Sequence, residues 1–311
     1  MAQKRYSMRG RFAACNKVLV VANSVIEKLR GRVPYIRRLH KRIDELQHQL
    51  ATIEAVPDLT PPYGSEYPKI VEQFREFLRL LQPHDVAHAR KRRFGGDNDG
   101  GYIMLEDLVQ CRAALSLGIG PEVSWDADMA GRGLRIIQFD HTVDRPPQDN
   151  PRFVFNRARV VGRRQSPDDL TLSDILARRD LADEKDLIAK VDIEGWEWEV
   201  LAQTTTATLS RIRQLAIEFH GMRKFVEPSW RATALSALKN LMHTHACIHI
   251  HGNNWVPFTV IGGIPFPSGF EATFARRSDY AFVPSAAVFP TDLDRPCNPK
   301  APDHYLGSWS Y

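Results

Sequence analysis

The sequence predicts a doubly wound α/β protein, in which a mostly parallel sheet carries helices on both faces. Apolar stretches typical of strands alternate with helical stretches along most of the chain, and a glycine loop follows one of the first strands. The 311 residues suffice for one such domain with an N-terminal extension. Hydrophobic residues make up 43% of the chain, which predicts a buried core.

The predicted elements follow one another in a regular order. Strands are predicted at residues 113–119, 135–139, 153–161, 187–193, 214–219 and 247–250. Helices are predicted at residues 70–81, 169–179, 196–204 and 230–243. We expect three segments, which are a helical extension (1–56), a linker, helix and hairpin (57–112), and the domain that carries the sheet (113–311).

The N-terminal extension is predicted to be helical, with a break or a helix start at Pro34. Its apolar residues recur at alternating three- and four-residue steps, at Ile36, Leu39, Ile43, Leu46, Leu50 and Ile53. This stripe predicts either a short coiled coil that joins two copies of the chain or a helix packed on its own domain. The apolar run at residues 18–22 is too short to span a bilayer, so no transmembrane segment is expected.

Charge and cysteine content set the expected surroundings. The formal net charge is +5, with basic runs at residues 37–38, 41–42 and 90–93. No aromatic residues interleave with these charges, so a solvated helix face is expected rather than contact with nucleic acid. The cysteines Cys15, Cys111, Cys247 and Cys297 show no CxxC pairing. This spacing argues against a disulfide framework or a zinc knuckle and indicates the reducing cytoplasm.

A glycine loop follows the strand predicted to begin at Ala113. Gly118 and Gly120 let the backbone approach a ligand closely. Asp140 ends the next predicted strand, where an acid can accept both hydroxyls of a ribose, so the cofactor is expected to contain a nucleoside. Glu122 replaces the third glycine of dinucleotide-binding loops and would repel a pyrophosphate. The loop therefore favours S-adenosylmethionine over NAD.

A carboxylate cluster follows a later strand, in the stretch KVDIEGWEWEVL at residues 190–201. Asp192 and Glu194 lie on the same side of the strand end, where ligands bind in open parallel sheets. Glu197 and Glu199 fall in the first turns of the following helix, where the helix dipole favours carboxylates. Capping is therefore the expected role of these two residues.

This stretch resembles the D-x-E-G-x-E-x-x-V-L element of FkbM-type methyltransferases, a class I, Rossmann-like family that acts largely on hydroxyl groups of glycans and natural products. Three further stretches resemble elements of the family in the expected order, namely RFGGDNDGGY at 93–102, IEFHG at 217–221 and HIHGNN at 249–254. The resemblance covers about residues 90–283. It implies an S-adenosylmethionine-dependent methyltransferase whose acceptor is a glycan or natural-product hydroxyl.

The chain departs from the family at the methionine end of the cofactor. An acid usually stands two residues before the first glycine, where this chain has Ser116. Asp97, Asp99 or Glu122 are the expected substitutes, although Asp97–Gly101 would also suit an ordinary hairpin turn. The predicted cofactor-binding residues are Asp99, Gly100, Gly118, Gly120, Asp140 and Asp192.

Methyl transfer to a hydroxyl requires removal of a proton, and two interpretations remain open. In one, His220 or His251 is the general base and is neutral near pH 7. In the other, Asp192, Glu218 and either His220 or His251 hold a divalent cation such as Mg²⁺. The predicted catalytic residues are Asp192, Glu218, His220 and His251, and the predicted metal ligands are Asp192, Glu218 and His220. His243, His245 and His249 are expected to form a polar strand face.

Two other function classes remain as alternatives. The first is a nicotinamide-dependent oxidoreductase, which the acid at Glu122 disfavours. The second is a non-catalytic protein that oligomerises or binds partners through its N-terminal helix.

Overall fold

The computed structural model describes residues 34–60 and 64–311. Its helices are α1 Pro34–Ala55, α2 Tyr67–Leu80, α3 Ser124–Gly131, α4 Leu172–Leu176, α5 Glu197–Gln203, α6 Thr206–Leu209 and α7 Pro228–Met242, with a 3-10 helix at Met222–Val226. Its strands are β1 His84–Val86, β2 Lys91–Gly95, β3 Gly101–Leu105, β4 Ala113–Leu117, β5 Arg135–Phe139, β6 Phe153–Asn156, β7 Arg159–Val160, β8 Asp169–Leu170, β9 Leu187–Val191, β10 Ile212–Phe219, β11 His245–Gly252, β12 Phe258–Ile261, β13 Ile264–Pro267, β14 Phe270–Arg276, β15 Phe282–Pro284, β16 Val288–Phe289 and β17 Gly307–Ser308.

Seven strands form the central sheet, in the order β6-β5-β4-β9-β10-β14-β11. The five strands from β6 to β10 are mutually parallel, whereas β14 is antiparallel to both of its neighbours. The expected Rossmann-like, mostly parallel α/β sheet is confirmed. From β4 the chain first adds strands on one side and then crosses to the other, so the order reverses between β4 and β9. Ligands bind at such a switch point, outside the carboxyl ends of the strands.

Helices and a hairpin cover the two faces of the sheet. Alternate residues of β4 point to opposite faces, so Leu115 packs in one apolar cluster and Ala114 in another. The first cluster contains Trp198 of α5, stacked 4.3 Å from the ring of Phe219. The second contains Trp125 of α3, and both tryptophans are fully buried. Burial of each large apolar side chain stabilises the fold by about 1.5–3 kcal/mol. This packing on both faces holds the strands, and therefore the strand ends that carry the site, in place.

Several predicted elements differ in detail from those observed. The strand predicted at 153–161 is two strands, β6 and β7. The helix predicted at 169–179 is only α4, because Thr171 and Asp174 form a capping box that starts the helix at Leu172. The antiparallel strands from β12 to β14 follow β11 and were not predicted. At the predicted hairpin turn, β2 and β3 pair as an antiparallel hairpin.

Helix α1 begins at Pro34, as predicted. The main chain of Tyr305 exchanges two hydrogen bonds with the Gln49 side chain, of 2.7 and 2.8 Å, which ties α1 to the C-terminal segment. Of the apolar stripe, Leu39 is exposed, and the coiled-coil dimer stays a prediction. The first 33 residues of the predicted extension, including the run at 18–22, lie outside the described residues. Within the described ranges, every helix is too short or too polar to cross a membrane.

Candidate active site

The glycine loop joins the ends of β4 and β9 at the switch point. Gly118 has a φ of +78°, and a Cβ atom on it would lie 1.7 Å from the carbonyl oxygen of Asp192. The Asp192 amide donates to the Leu117 carbonyl at 2.9 Å, so the two strand ends stay paired up to the loop. Glycine is required at position 118 because the neighbouring backbone approaches so closely.

Asp140 holds the glycine loop from the end of β5. One carboxylate oxygen accepts hydrogen bonds from the Ile119 and Gly120 amides, both at 3.0 Å. The other accepts from the amide and hydroxyl of Thr142, at 2.7 and 2.6 Å. Burial raises the pKa of Asp140, but these hydrogen bonds outweigh it and leave the pKa below its usual value. Asp140 is therefore an ionised carboxylate whose four acceptor positions are all in use.

A cavity of about 480 Å³ opens at the carboxyl ends of β4, β5 and β9. That volume suits a small-molecule cofactor. Its wall contains more acids than bases. The acids are Asp99, Glu122, Asp140, Asp192 and Glu194, and the cationic groups are Lys190 and Arg159. Such a wall favours a positively charged ligand over an anionic one.

Glu122 occupies the amino end of α3, which follows the glycine loop. Its carboxylate accepts a hydrogen bond of 2.8 Å from the Ser124 amide, one of the first amides of the helix. The same carboxylate lies against Gly100 of the hairpin, where an added Cβ would come within 1.7 Å of it. A pyrophosphate would need these helix amides. The carboxylate therefore disfavours a dinucleotide at this position.

Lys190 is a charged residue in the otherwise apolar strand β9. Its ammonium group donates to the Gly118 carbonyl at 2.7 Å and lies 3.4 Å from the Asp192 carboxylate. Burial lowers the pKa of Lys190, but the carboxylates of Asp192 and Asp126 outweigh it and raise the pKa above its ordinary value. Lys190 is therefore a buried cation that holds Gly118 and Asp192 together.

His220 lies between carboxylates just after β10. Its Nδ1 is 3.1 Å from Glu197, and its Nε2 is 3.4 Å from Glu218 and 3.7 Å from Glu194. Burial lowers the pKa of His220, but the hydrogen bonds to Glu197 and Glu218 raise it to about 11. These carboxylates therefore favour the protonated imidazole, and the role of His220 as a general base stays a prediction.

Glu218 is the buried acid at the end of β10. The Asn253 side chain donates to it at 2.6 Å. Burial raises the pKa of Glu218, and the nearby carboxylates of Asp192 and Glu271 raise it further, against the opposing effect of His220. This carboxyl can therefore exchange a proton closer to neutral pH than an ordinary glutamate.

His251 is buried away from the cavity wall. Its Nδ1 lies 2.9 Å from Glu271 and its Nε2 lies 2.9 Å from Asp303. Burial lowers the pKa of His251, but the hydrogen bonds to Asp303, Cys297 and Glu271 raise it well above its ordinary value. Both ring nitrogens already have partners, and the role of His251 as a general base stays a prediction. His251 anchors the C-terminal segment in this arrangement.

The structure brings most of the predicted site residues together. The six predicted cofactor-binding residues, Asp99, Gly100, Gly118, Gly120, Asp140 and Asp192, all line the cavity. Glu218 and His220 lie beside Asp192, whereas Asp97 is exposed and outside the cavity wall. Sequence reasoning missed Lys190, although a lysine inside an apolar strand is a signal in itself.

Glu197 has a larger role than helix capping. It is fully buried, and its Oε1 accepts from the Ile193 and Gly195 amides at 3.0 and 3.1 Å. The same oxygen faces His220. Glu197 therefore shapes the loop after Asp192 and fixes the orientation of the imidazole.

Comparisons with known proteins identify no family. No protein-family model matches the chain, and no curated protein matches it. One similar solved structure is the medium-resolution structure of the bifunctional kinase-methyltransferase WbdD, with a TM-score of 0.32 and 13% identity. The match covers 74% of this chain and 45% of that one, so this chain spans less than half the length of that protein. A likeness this weak says nothing about individual residues, and their roles rest on the geometry of this chain.

Proposed function

We propose that the chain is an S-adenosylmethionine-dependent methyltransferase whose acceptor is a hydroxyl group of a glycan or small natural product. The observation that carries this proposal is the acid-lined cavity at the switch point of a Rossmann-like sheet. A sulfonium cofactor without phosphate matches its charge. The four stretches that resemble FkbM-type methyltransferases lie at the cavity or beside it, which supports the same assignment. Asp99 and Asp192 line the cavity, His220 lies beside Asp192, and Asn253 donates to Glu218.

The residues of the cavity fit the parts of this cofactor. Phe139, Ala158 and Val160 offer an apolar wall for the adenine base, and Asp140 follows Phe139 at the end of β5. Since its acceptor positions are all in use, ribose hydroxyls would replace the two hydrogen bonds from Thr142. At the other end, Asp99 is placed to accept the methionine ammonium in place of the acid missing at Ser116.

Bound S-adenosylmethionine would supply a methyl group on a positively charged sulfur. Transfer to a hydroxyl forms a C–O bond, breaks the C–S bond, leaves a neutral thioether and releases the hydroxyl proton. The carboxylates of the wall hold the cationic ligand in place, and the narrow loop at Gly118 limits its position. Asp192 and His220 would orient the acceptor, and the Glu218 carboxylate would take up its proton.

Calorimetric titration with S-adenosylmethionine, S-adenosylhomocysteine and NADH tests the cofactor. We expect one equivalent of each adenosyl compound to bind and NADH not to bind. Asp99→Asn should weaken S-adenosylmethionine binding, whereas the matched substitution Asp97→Asn, outside the cavity wall, should not. Tight binding of NADH alone would indicate an oxidoreductase, and binding of none of the three would favour a non-catalytic protein. Mass spectrometry of a panel of sugars after incubation would identify the acceptor.

A further inference from the structure

Carboxylate and imidazole groups converge beside the cavity. One ligand atom from each of Asp192, Glu197 and His220 lies within 4.8 Å of the other two. These residues come from the end of β9, the first turn of α5 and the end of β10. Asp192 and His220 each keep 25% of the side chain exposed, whereas Glu197 is fully buried. The cluster is therefore accessible to solvent at Asp192 and His220 and buried at Glu197.

One oxygen of Glu197 lacks a partner. Its Oε1 accepts two backbone hydrogen bonds, but its Oε2 is buried and has no hydrogen-bond partner among the residues that the structure describes. Leaving a buried acceptor unsatisfied costs about 1–3 kcal/mol, and more for a charged group. Buried carboxylates are normally paired or coordinate a metal. Because Glu197 belongs to the cluster, this free oxygen leaves its carboxylate with a lone pair that a bound ion would take up.

The charges around the cluster do not balance. The cationic side chains are Lys190 and His220. The carboxylates within 3.7 Å of them are Asp192, Glu194, Glu197 and Glu218. An imidazole that binds a metal ion is neutral, so Lys190 would then be the only cation among these side chains, beside four carboxylates, and a divalent ion would offset most of this excess.

We propose that Asp192, Glu197 and His220 bind a divalent metal ion of the class of Mn²⁺ beside the cofactor cavity. Two carboxylates and one imidazole form an oxygen and nitrogen ligand set that suits first-row transition metals. Three protein ligands leave coordination positions open for an acceptor hydroxyl or water. The inference rests on the proposed methyl transfer only for the purpose of the ion, which is to polarise the acceptor hydroxyl.

Binding of Mn²⁺ to the purified full chain without S-adenosylmethionine tests the inference. Calorimetry and the loss of the electron paramagnetic resonance signal of free Mn²⁺ should both report one bound equivalent. We expect Glu197→Gln and His220→Asn each to weaken binding by at least about tenfold. Glu199→Gln removes the same charge from the same helix outside the cluster and should leave the affinity unchanged.

Two outcomes would overturn the inference. One is the absence of saturable binding of Mn²⁺, Mg²⁺ and Zn²⁺ up to about 1 mM. The other is an unchanged affinity in His220→Asn, which decides alone if Glu197→Gln does not fold. S-adenosylmethionine binding is measured on the same samples. If the wild type binds S-adenosylmethionine but none of the metal ions, only this inference fails, and a side chain remains as the activating base. If the wild type does not bind S-adenosylmethionine, the proposed function fails.

Discussion

Gly118→Ala tests the close approach of the two strand ends. The new Cβ would lie 1.7 Å from the Asp192 carbonyl oxygen, so the gap must open by more than about 1 Å to reach van der Waals contact. The φ of +78° adds about 1–2 kcal/mol for a residue with a Cβ. Opening the gap also strains the hydrogen bonds from Asp192 to Leu117 and from Gly118 to Phe139, each contributing about 0.5–1.5 kcal/mol.

We therefore expect Gly118→Ala to lower the free energy of unfolding by about 3–5 kcal/mol, a large fraction of the stability of an ordinary domain. Gly120→Ala is the matched control, because Gly120 also has a positive φ but its Cβ would meet nothing within 4 Å. It should cost only about 1–2 kcal/mol. Since Gly120 lines the cavity, its substitution should still weaken cofactor binding.

Urea unfolding followed by circular dichroism gives both stabilities, and calorimetry with S-adenosylmethionine gives both affinities. The two variants should separate, with Gly118→Ala losing stability and binding, and Gly120→Ala losing mainly binding. Equal stabilities would show that the contact between the strand ends does not determine the loop.

Three further predictions concern Asp140, Asp294 and Lys190. Asp140→Asn replaces the carboxylate that accepts from the Ile119 and Gly120 amides, so thermal unfolding should show a free energy of unfolding lower by about 2–4 kcal/mol. Thr142→Val removes only one hydroxyl donor and should lower it by less. Asp294 is buried and lies 2.8 Å from Nε2 of the buried His249, so Asp294→Ala should lower the free energy of unfolding by roughly 3–5 kcal/mol at pH 7. Because the pKa of Asp294 is lowered from 3.8, its contribution is present above that pH and lost below it, so urea unfolding should show the wild type and variant converging at acid pH. Lys190→Met leaves Asp192 without its cation and should lower the free energy of unfolding by roughly 3–5 kcal/mol. Urea unfolding measures this change, and wild-type stability in the variant would show that the pair of Lys190 and Asp192 does not stabilise the fold.

The parallel strands could be predicted because each contains consecutive apolar residues, such as Ile136–Ile137 in β5 and Leu215–Ile217 in β10. The strand predicted at 135–139 has the bounds of β5. β14 could not be predicted in this way, because Glu271 and Thr273 interrupt its apolar residues. Both are buried in the fold, since β14 lies between β10 and β11 and Glu271 meets His251. The partner that allows a charge to be buried is far away in the sequence.

The same contrast between local pattern and distant partners applies to the site. Gly118, Asp140 and Asp192 follow strands directly, so the topology of a parallel sheet places them together. The protonation of the histidines depends on partners that no local pattern reveals. Glu197 lies 23 residues from His220, and Asp303 lies 52 residues from His251. Charge at these positions is a property of the folded neighbourhood rather than of the motif.

The C-terminal segment has a consequence for synthesis of the protein. His249 and His251 on β11 pair with Asp294 and Asp303, which are translated after every strand of the central sheet. Until those acids leave the ribosome, the edge of the sheet contains histidines without these partners. We therefore expect the last stage of folding to follow translation of residues 294–303, so a ribosome stalled before them would hold a nascent chain that proteases still cleave.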